Sequence, residues 1–243
     1  IVTRFDASGF TSAGAISTWS PLPSGLGNDV TQGVGGSQPT VVLGEQNGLS
    51  VVRFDGLDDH MDNSLTSYTV GSVFAVAYCD KTVFGNVVYD GLYGGDNGTD
   101  AVYYTGTANS TDWYGDTVLD SMYLNGVSST TALTTPSAFN LYSGTDSTPQ
   151  LLGGHALATD RNNPGNRQWD GDIAEVIVYD TALSEFDRQG VEVYLDEKWG
   201  LGLNLRSTYG DGNFNEDTFD LGLVPFFTLS SSTAAGPTHD NLP

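Results

Sequence analysis

The stretch Trp169-Asp-Gly-Asp-Ile-Ala-Glu-Val-Ile-Val-Tyr-Asp-Thr-Ala-Leu-Ser184 decides the fold class. Ile173, Val176, Ile177 and Val178 are β-branched and crowd one short run, which predicts a strand over Asp172–Tyr179. Immediately downstream, Ser184-Glu185-Phe186-Asp187 places a helix N-cap ahead of an acid three residues on. Phe186, Gly190, Val191, Tyr194, Leu195 and Lys198 then share one stripe at helical spacing, and Gly200 supplies the stop. The expectation is one helix lying across an end or edge of the sheets, with Trp199 pinning its last turn and a structural role.

Working outward, the rest of the chain reads as strands joined by turns. Ile1–Phe10 starts as a strand, and Leu49–Phe54 is a second, stopped by the turn dipeptide Asp55-Gly56. Gly71–Cys79 is almost uniformly apolar, as expected of a strand covered on both faces. Thr82–Tyr89, Ala101–Thr105, Thr117–Leu124 and Ala138–Ser143 follow, with Asn125-Gly126 marking a hairpin. Trp19–Thr40 reads as a loop anchored by Trp19. The 31 glycines and 38% hydrophobic residues, in a chain of 243, suit one large β-domain with its own core. That domain is predicted over Ile1–Leu205. An extension follows over Arg206–Pro243, in which the apolar run Leu221–Leu229 is expected to add an edge strand or to be gripped by a neighbouring subunit. The chain opens on Ile1, and a processed or trimmed product is expected.

Charge bounds the partners. Thirty acidic against eight basic residues give a formal net charge of −22, which excludes nucleic acid and disfavours an anionic membrane surface. Insertion into a membrane is not expected, because no apolar run approaches the length of a span. Cys79 is the single cysteine, so no internal disulfide forms, and its place at the end of an apolar strand marks a packed thiol.

The strand and helix around Asp172–Gly200 resemble the penultimate signature of laminin-G-like, concanavalin A-like jelly-roll domains of secreted bacterial and viral proteins. Trp19 with Ser24-Gly25-Leu26-Gly27-Asn28-Asp29 is similar to the opening loop of that family, and Val51-Val52-Arg53-Phe54-Asp55-Gly56-Leu57-Asp58-Asp59 to its strand end. The resemblance implies an all-β, two-sheet antiparallel jelly-roll sandwich with one short helix, its last signature strand beside the early ones. It implies an extracellular or cell- or virion-surface location. It also implies a structural Ca²⁺ near the sheet rim, with Asp59 and Asp172 as first candidates and Asp55 and Glu175 next, since Ca²⁺ takes six to eight oxygens from carboxylates and carbonyls. The same acids also fit plain turn and strand-end residues solvated by water.

Nothing in the sequence assembles a catalytic constellation. Glu185-Phe186-Asp187 with Glu192 is the nearest approach to a glycosidase run, but it falls on the predicted helix, and His60, His155 and His239 share no metal-ligand spacing. A noncatalytic role is therefore expected. For glycan binding the candidates are Trp113 and Tyr114 with Asp112, and Tyr93 with Asn97, because exposed rings stack on sugars beside polar partners. Tyr103 and Tyr104 read as packing residues. Two functions remain open: a carbohydrate-binding adhesion module, and a structural subunit that assembles with copies of itself or with other subunits in a surface layer, filament or virion.

Overall fold

The computed structural model describes residues 3–22, 28–80, 91–95, 101–105, 113–114, 119–128, 138–159 and 167–209. Their strands, in chain order, are β1 (Thr3–Asp6), β2 (Gly14–Ala15), β3 (Thr18–Trp19), β4 (Val30–Thr31), β5 (Thr40–Gln46), β6 (Leu49–Asp55) and β7 (Met61–Cys79). β8 (Gly91–Gly94), β9 (Ala101–Thr105), β10 (Trp113–Tyr114), β11 (Ser121–Leu124), β12 (Val127–Ser128), β13 (Asn140–Leu157) and β14 (Asp170–Tyr179) complete the set. Two helices follow, α1 (Glu185–Trp199) and α2 (Leu205–Tyr209). The protein is all-β, as its composition implies.

The two sheets expected are two halves of one continuous hydrogen-bonded sheet. β7 and β13 pair antiparallel along almost their whole lengths and run through both halves. The C-terminal part of β7 and the N-terminal part of β13 lie with β11, β14 and β6. The other ends lie with β4, β8, β9 and β10. Between them the register jumps from Thr145 to Gln150 on β13, opposite the Val70–Ser72 segment of β7. Such an irregularity bends paired strands and lets them turn a corner from one layer to the next. The halves close as a β-sandwich on a shared core that includes Phe5, Trp19, Phe54, Met61, Val73, Leu92, Tyr142, Leu152, Leu157 and Trp169.

The expectation that Asp172–Tyr179 lies beside the early strands holds in the register. β14 pairs with β6 over Asp170–Ile173 and with β1 over Glu175–Val178. Where one edge partner gives way to the other, β14 carries a bulge: Ile173 opposes Ala77 and Glu175 opposes Val76, leaving Ala174 as the extra residue. Ile173, Val176 and Val178 therefore face the shared core, while Ala174, Ile177 and Tyr179 face outward beneath α1.

Helix α1 begins and ends where its caps predict. The Ser184 side chain accepts from the Asp187 N–H, and Gly200 stops the helix in the left-handed conformation. Its position and buried face differ from expectation. It covers the outer face of the sheet, with Val191, Leu195 and Trp199 packed with Val51, Phe74, Val76, Leu141 and Ile177, rather than crossing an end. Phe186 is exposed, while Arg188, Glu192 and Asp196 are buried. An apolar-stripe argument cannot anticipate this, because the buried charges are accepted only where partners meet them. The short helix α2 was not expected. It tucks Leu205 against α1 and places the start of the predicted extension inside the domain.

Gly71 lets the connection between β14 and α1 pass close over β7. A Cβ there would lie 2.2 Å from the carbonyl carbon of Thr181 and 2.5 Å from the backbone nitrogen of Ala182, in the connection between β14 and α1. Those atoms are backbone and cannot rotate away. Gly71→Ala is expected to destabilise the fold by about 1–3 kcal/mol, the usual cost of overpacking, read as a lower urea midpoint with an unchanged slope.

Candidate functional site

At the end of β6 the chain turns back on itself through Asp55-Gly56-Leu57-Asp58-Asp59. The Asp55 carboxylate accepts from the backbone N–H groups of Leu57 (2.9 Å), Asp58 (3.3 Å) and Asp59 (3.4 Å), the local capping expected of an Asp that opens a turn. Gly56, at φ +69°, packs so close to Asp170 that a Cβ would lie 2.5 Å from that side chain. The turn is thereby pinned against the start of β14. Asp59 is nearly buried and its Oδ2 accepts from the Asp55 N–H at 3.1 Å. Asp58 accepts from the Ser37 hydroxyl at 2.9 Å. One carboxylate oxygen from each of Asp55, Asp58 and Asp59 lies within 4.8 Å of the others. Burial, then the neighbouring Asp55, pushes the Asp59 carboxyl up to about 6. A divalent cation would reverse that penalty, and oxygens from three acids suit a hard cation without selecting calcium.

The sequence candidates for a cation site thus separate. Asp55 and Asp59 come together, joined by Asp58. Asp172 and Glu175 stand elsewhere, each met by a protein cation. Asp172, almost fully buried on β14, accepts two hydrogen bonds from Arg53 at 2.6 and 2.7 Å. Burial pushes its carboxyl up, against the pull of the guanidinium. Their pairing follows from the register, in which Asp172 lies opposite Arg53, information that a single strand read in isolation does not contain.

Glu175 is fully buried and sits at the centre of a polar cluster between β1, β14 and α1. It accepts from Arg4 Nε at 2.5 Å, from Lys198 Nζ at 2.7 Å and from the Trp199 indole at 2.7 Å. Asp6 joins the same cations, accepting from Arg4 Nη2 at 2.6 Å and Lys198 Nζ at 2.7 Å. The Tyr194 hydroxyl accepts from Arg4 at 2.5 Å. Burial, then the Asp6 charge, raises the Glu175 carboxyl. For Asp6 burial works the same way, yet Lys198 and Arg4 together hold it below the usual carboxylate range. Arg4, Asp6 and Lys198 were missed as a group. Their only signal in the sequence is Lys198 on the buried stripe of α1.

Among the glycan candidates, Tyr93 proves to be core. It has no exposed surface, and its hydroxyl bonds Tyr68 at 2.7 Å and His155 Nδ1 at 2.9 Å. A ring enclosed in this way offers no face to a sugar. The backbone of Trp113 and Tyr114 forms β10, paired with Thr105 and Tyr104 at the far end of its half. Asp112 and Asn97 lie outside the described residues, as do the predicted strand Thr82–Tyr89 and the run Leu221–Leu229.

No family model, no curated protein and no solved structure matches this chain. The laminin-G-like resemblance accordingly rests on the motifs quoted above. Among the described residues, no helix is long and apolar enough to cross a membrane.

His155 is nearly buried, stacks on Tyr68 with ring centroids 3.8 Å apart, and leaves Nε2 without a hydrogen-bond partner. Burial lowers its pKa from 6.5 to about 3, so the folded protein holds a neutral ring where the unfolded chain would bind a proton. This contribution to stability is complete above pH 6.5 and is lost progressively as the pH falls toward 3. Wild-type stability should fall by on the order of 3 kcal/mol between pH 6.5 and about pH 4 from this residue. His155→Phe should flatten that limb in urea titrations, and an identical slope in the variant would refute the assignment.

Proposed function

We propose that this protein is a noncatalytic binding module, extracellular and of the laminin-G-like jelly-roll kind, that attaches to polysaccharide and carries a structural divalent cation, calcium, at the Asp55–Asp58–Asp59 corner. One observation carries the reading. The buried acids Asp172, Glu175 and Glu192 are all engaged by partners inside the fold, while Asp55 and Asp58 remain exposed at one corner beside Asp59. The net charge of −22 adds a field that favours a bound cation. Trp113 and Tyr114, whose backbone forms the terminal strand β10 among the described residues, are the residues assigned to sugar binding, Trp113 first.

The cation has its own readout. A cation that binds only the folded protein raises its melting temperature, so EDTA should lower the midpoint by a few degrees and added Ca²⁺ should restore it. Asp59 must be ionised to serve as a ligand, and its carboxyl sits at about 6. The Ca²⁺ effect should therefore be larger at about pH 7 than at about pH 5, and Asp59→Asn should remove it. Binding to a polysaccharide array in Ca²⁺ buffer should saturate and should be lost in Trp113→Ala with the melting temperature unchanged. A blank array would overturn the binding reading, and melting indifferent to EDTA would overturn the cation.

A further inference from the structure

We propose that Lys198 and Asp6 condense into an intramolecular amide bond, with Glu175 as the proton-transferring group, so that β1 and the last turn of α1 are joined covalently. The geometry is that of reactants already assembled. Lys198 Nζ lies 2.7 Å from Asp6 Oδ2 and 2.7 Å from Glu175 Oε2. The Lys198 and Asp6 side chains are only 12% and 10% exposed, and that of Glu175 is fully buried. Fixing an amine against a carboxyl in this way replaces a bimolecular encounter by an effectively unimolecular one. The aromatic side chains of Tyr194 and Trp199 flank the amine, with ring centroids 5.8 and 4.9 Å from Nζ.

The remaining contacts fit the steps. Lys198 passes a proton to Glu175, whose carboxyl burial already raises, Glu175 relays it to Asp6 Oδ2, and the freed Nζ lone pair attacks Cγ of the resulting neutral acid. Charge develops on Asp6 Oδ1, which accepts from the Ser8 N–H at 3.0 Å and the Ser8 hydroxyl at 2.7 Å, donors of the kind that hold a tetrahedral oxyanion. The other oxygen, Oδ2, accepts from Arg4 Nη2 at 2.6 Å and becomes the leaving group. The C–Oδ2 bond breaks with its electron pair on oxygen. Two of the three ammonium protons, relayed by Glu175, complete a water molecule. Ammonium plus carboxylate thus become amide plus water, with no oxidant, reductant or co-reactant. The cluster begins with two cations and two anions. It ends with Arg4 and Glu175, already bonded at 2.5 Å, so the product leaves no buried charge unpaired. Replacing a buried ion pair by a neutral amide removes two charges that are costly to keep out of water.

The test is the mass of the purified, full-length chain. The wild type should be lighter than its sequence by one water, and protease digestion with tandem mass spectrometry should yield a branched peptide joining Asp6 to Lys198. Lys198→Arg keeps the cation and its ion pairs but lacks the amine; it should fold and have the full mass. Glu175→Gln should likewise have the full mass. A wild type of full mass, a water loss that maps away from these two residues, or a linked peptide persisting in Glu175→Gln would each overturn the proposal.

Discussion

A carboxylate with no exposed surface in the middle of a strand has to be answered by cations, and the answer to Glu175 organises this molecule. Arg4 reaches it from β1 and Lys198 from α1, so the first strand and the only long helix among the described residues are fixed to β14 by one side chain. The bulge at Ala174 aims it there. In a regular strand Glu175 would share the face of Ile173 and point into the apolar core. The extra residue turns it toward the helix at the point where β6 hands the edge of β14 to β1. Glu192 repeats the device from the helix side, held by Arg188 at 2.5 Å and by the hydroxyls of Ser143 and Tyr209. The guanidinium of Arg188 in turn lies 3.6 Å from the ring centre of Tyr123. Buried pairs of this kind add little net stability, but breaking one is severe, so they select one arrangement over its competitors.

Local chemistry was legible wherever a few consecutive residues settle it. The apolar run of Gly71–Cys79, the β-branched Ile173–Val178 segment and the Ser184 and Gly200 caps gave strands and helix ends that the structure reproduces. What was not legible depends on partners distant in sequence. The first half of β7 is rich in Asp62, Asn63, Ser64 and Ser67, and the later part of β13 contains Pro149, Gly153 and Gly154. Both look like turns. They are strands because each pairs with the other, and Thr40–Gln46 is likewise a strand through pairing with β6. The merging of two sheets into one was hidden for that reason.

The candidate site divides along the same line. Asp55, Asp58 and Asp59 are neighbours in sequence and in space, so their gathering at a turn could be read directly. Whether Asp172 and Glu175 belong with them depends on register and on the helix above, and both prove to be bound by cations. Tyr93 shows the converse. Its Gly-rich, Asp-rich surroundings suggested exposure, yet the partners that bury it, Tyr68 and His155, come from strands 25 and 62 residues away in the chain.

The sharing of β7 and β13 between the two layers has a mechanical consequence. A sandwich of separate sheets can shear or gape along its core, with one leaf loosening while the other stays intact. Here the leaves are cut from the same cloth: β7 and β13 belong to both, so pulling the leaves apart strains the longest paired ladder among the described residues.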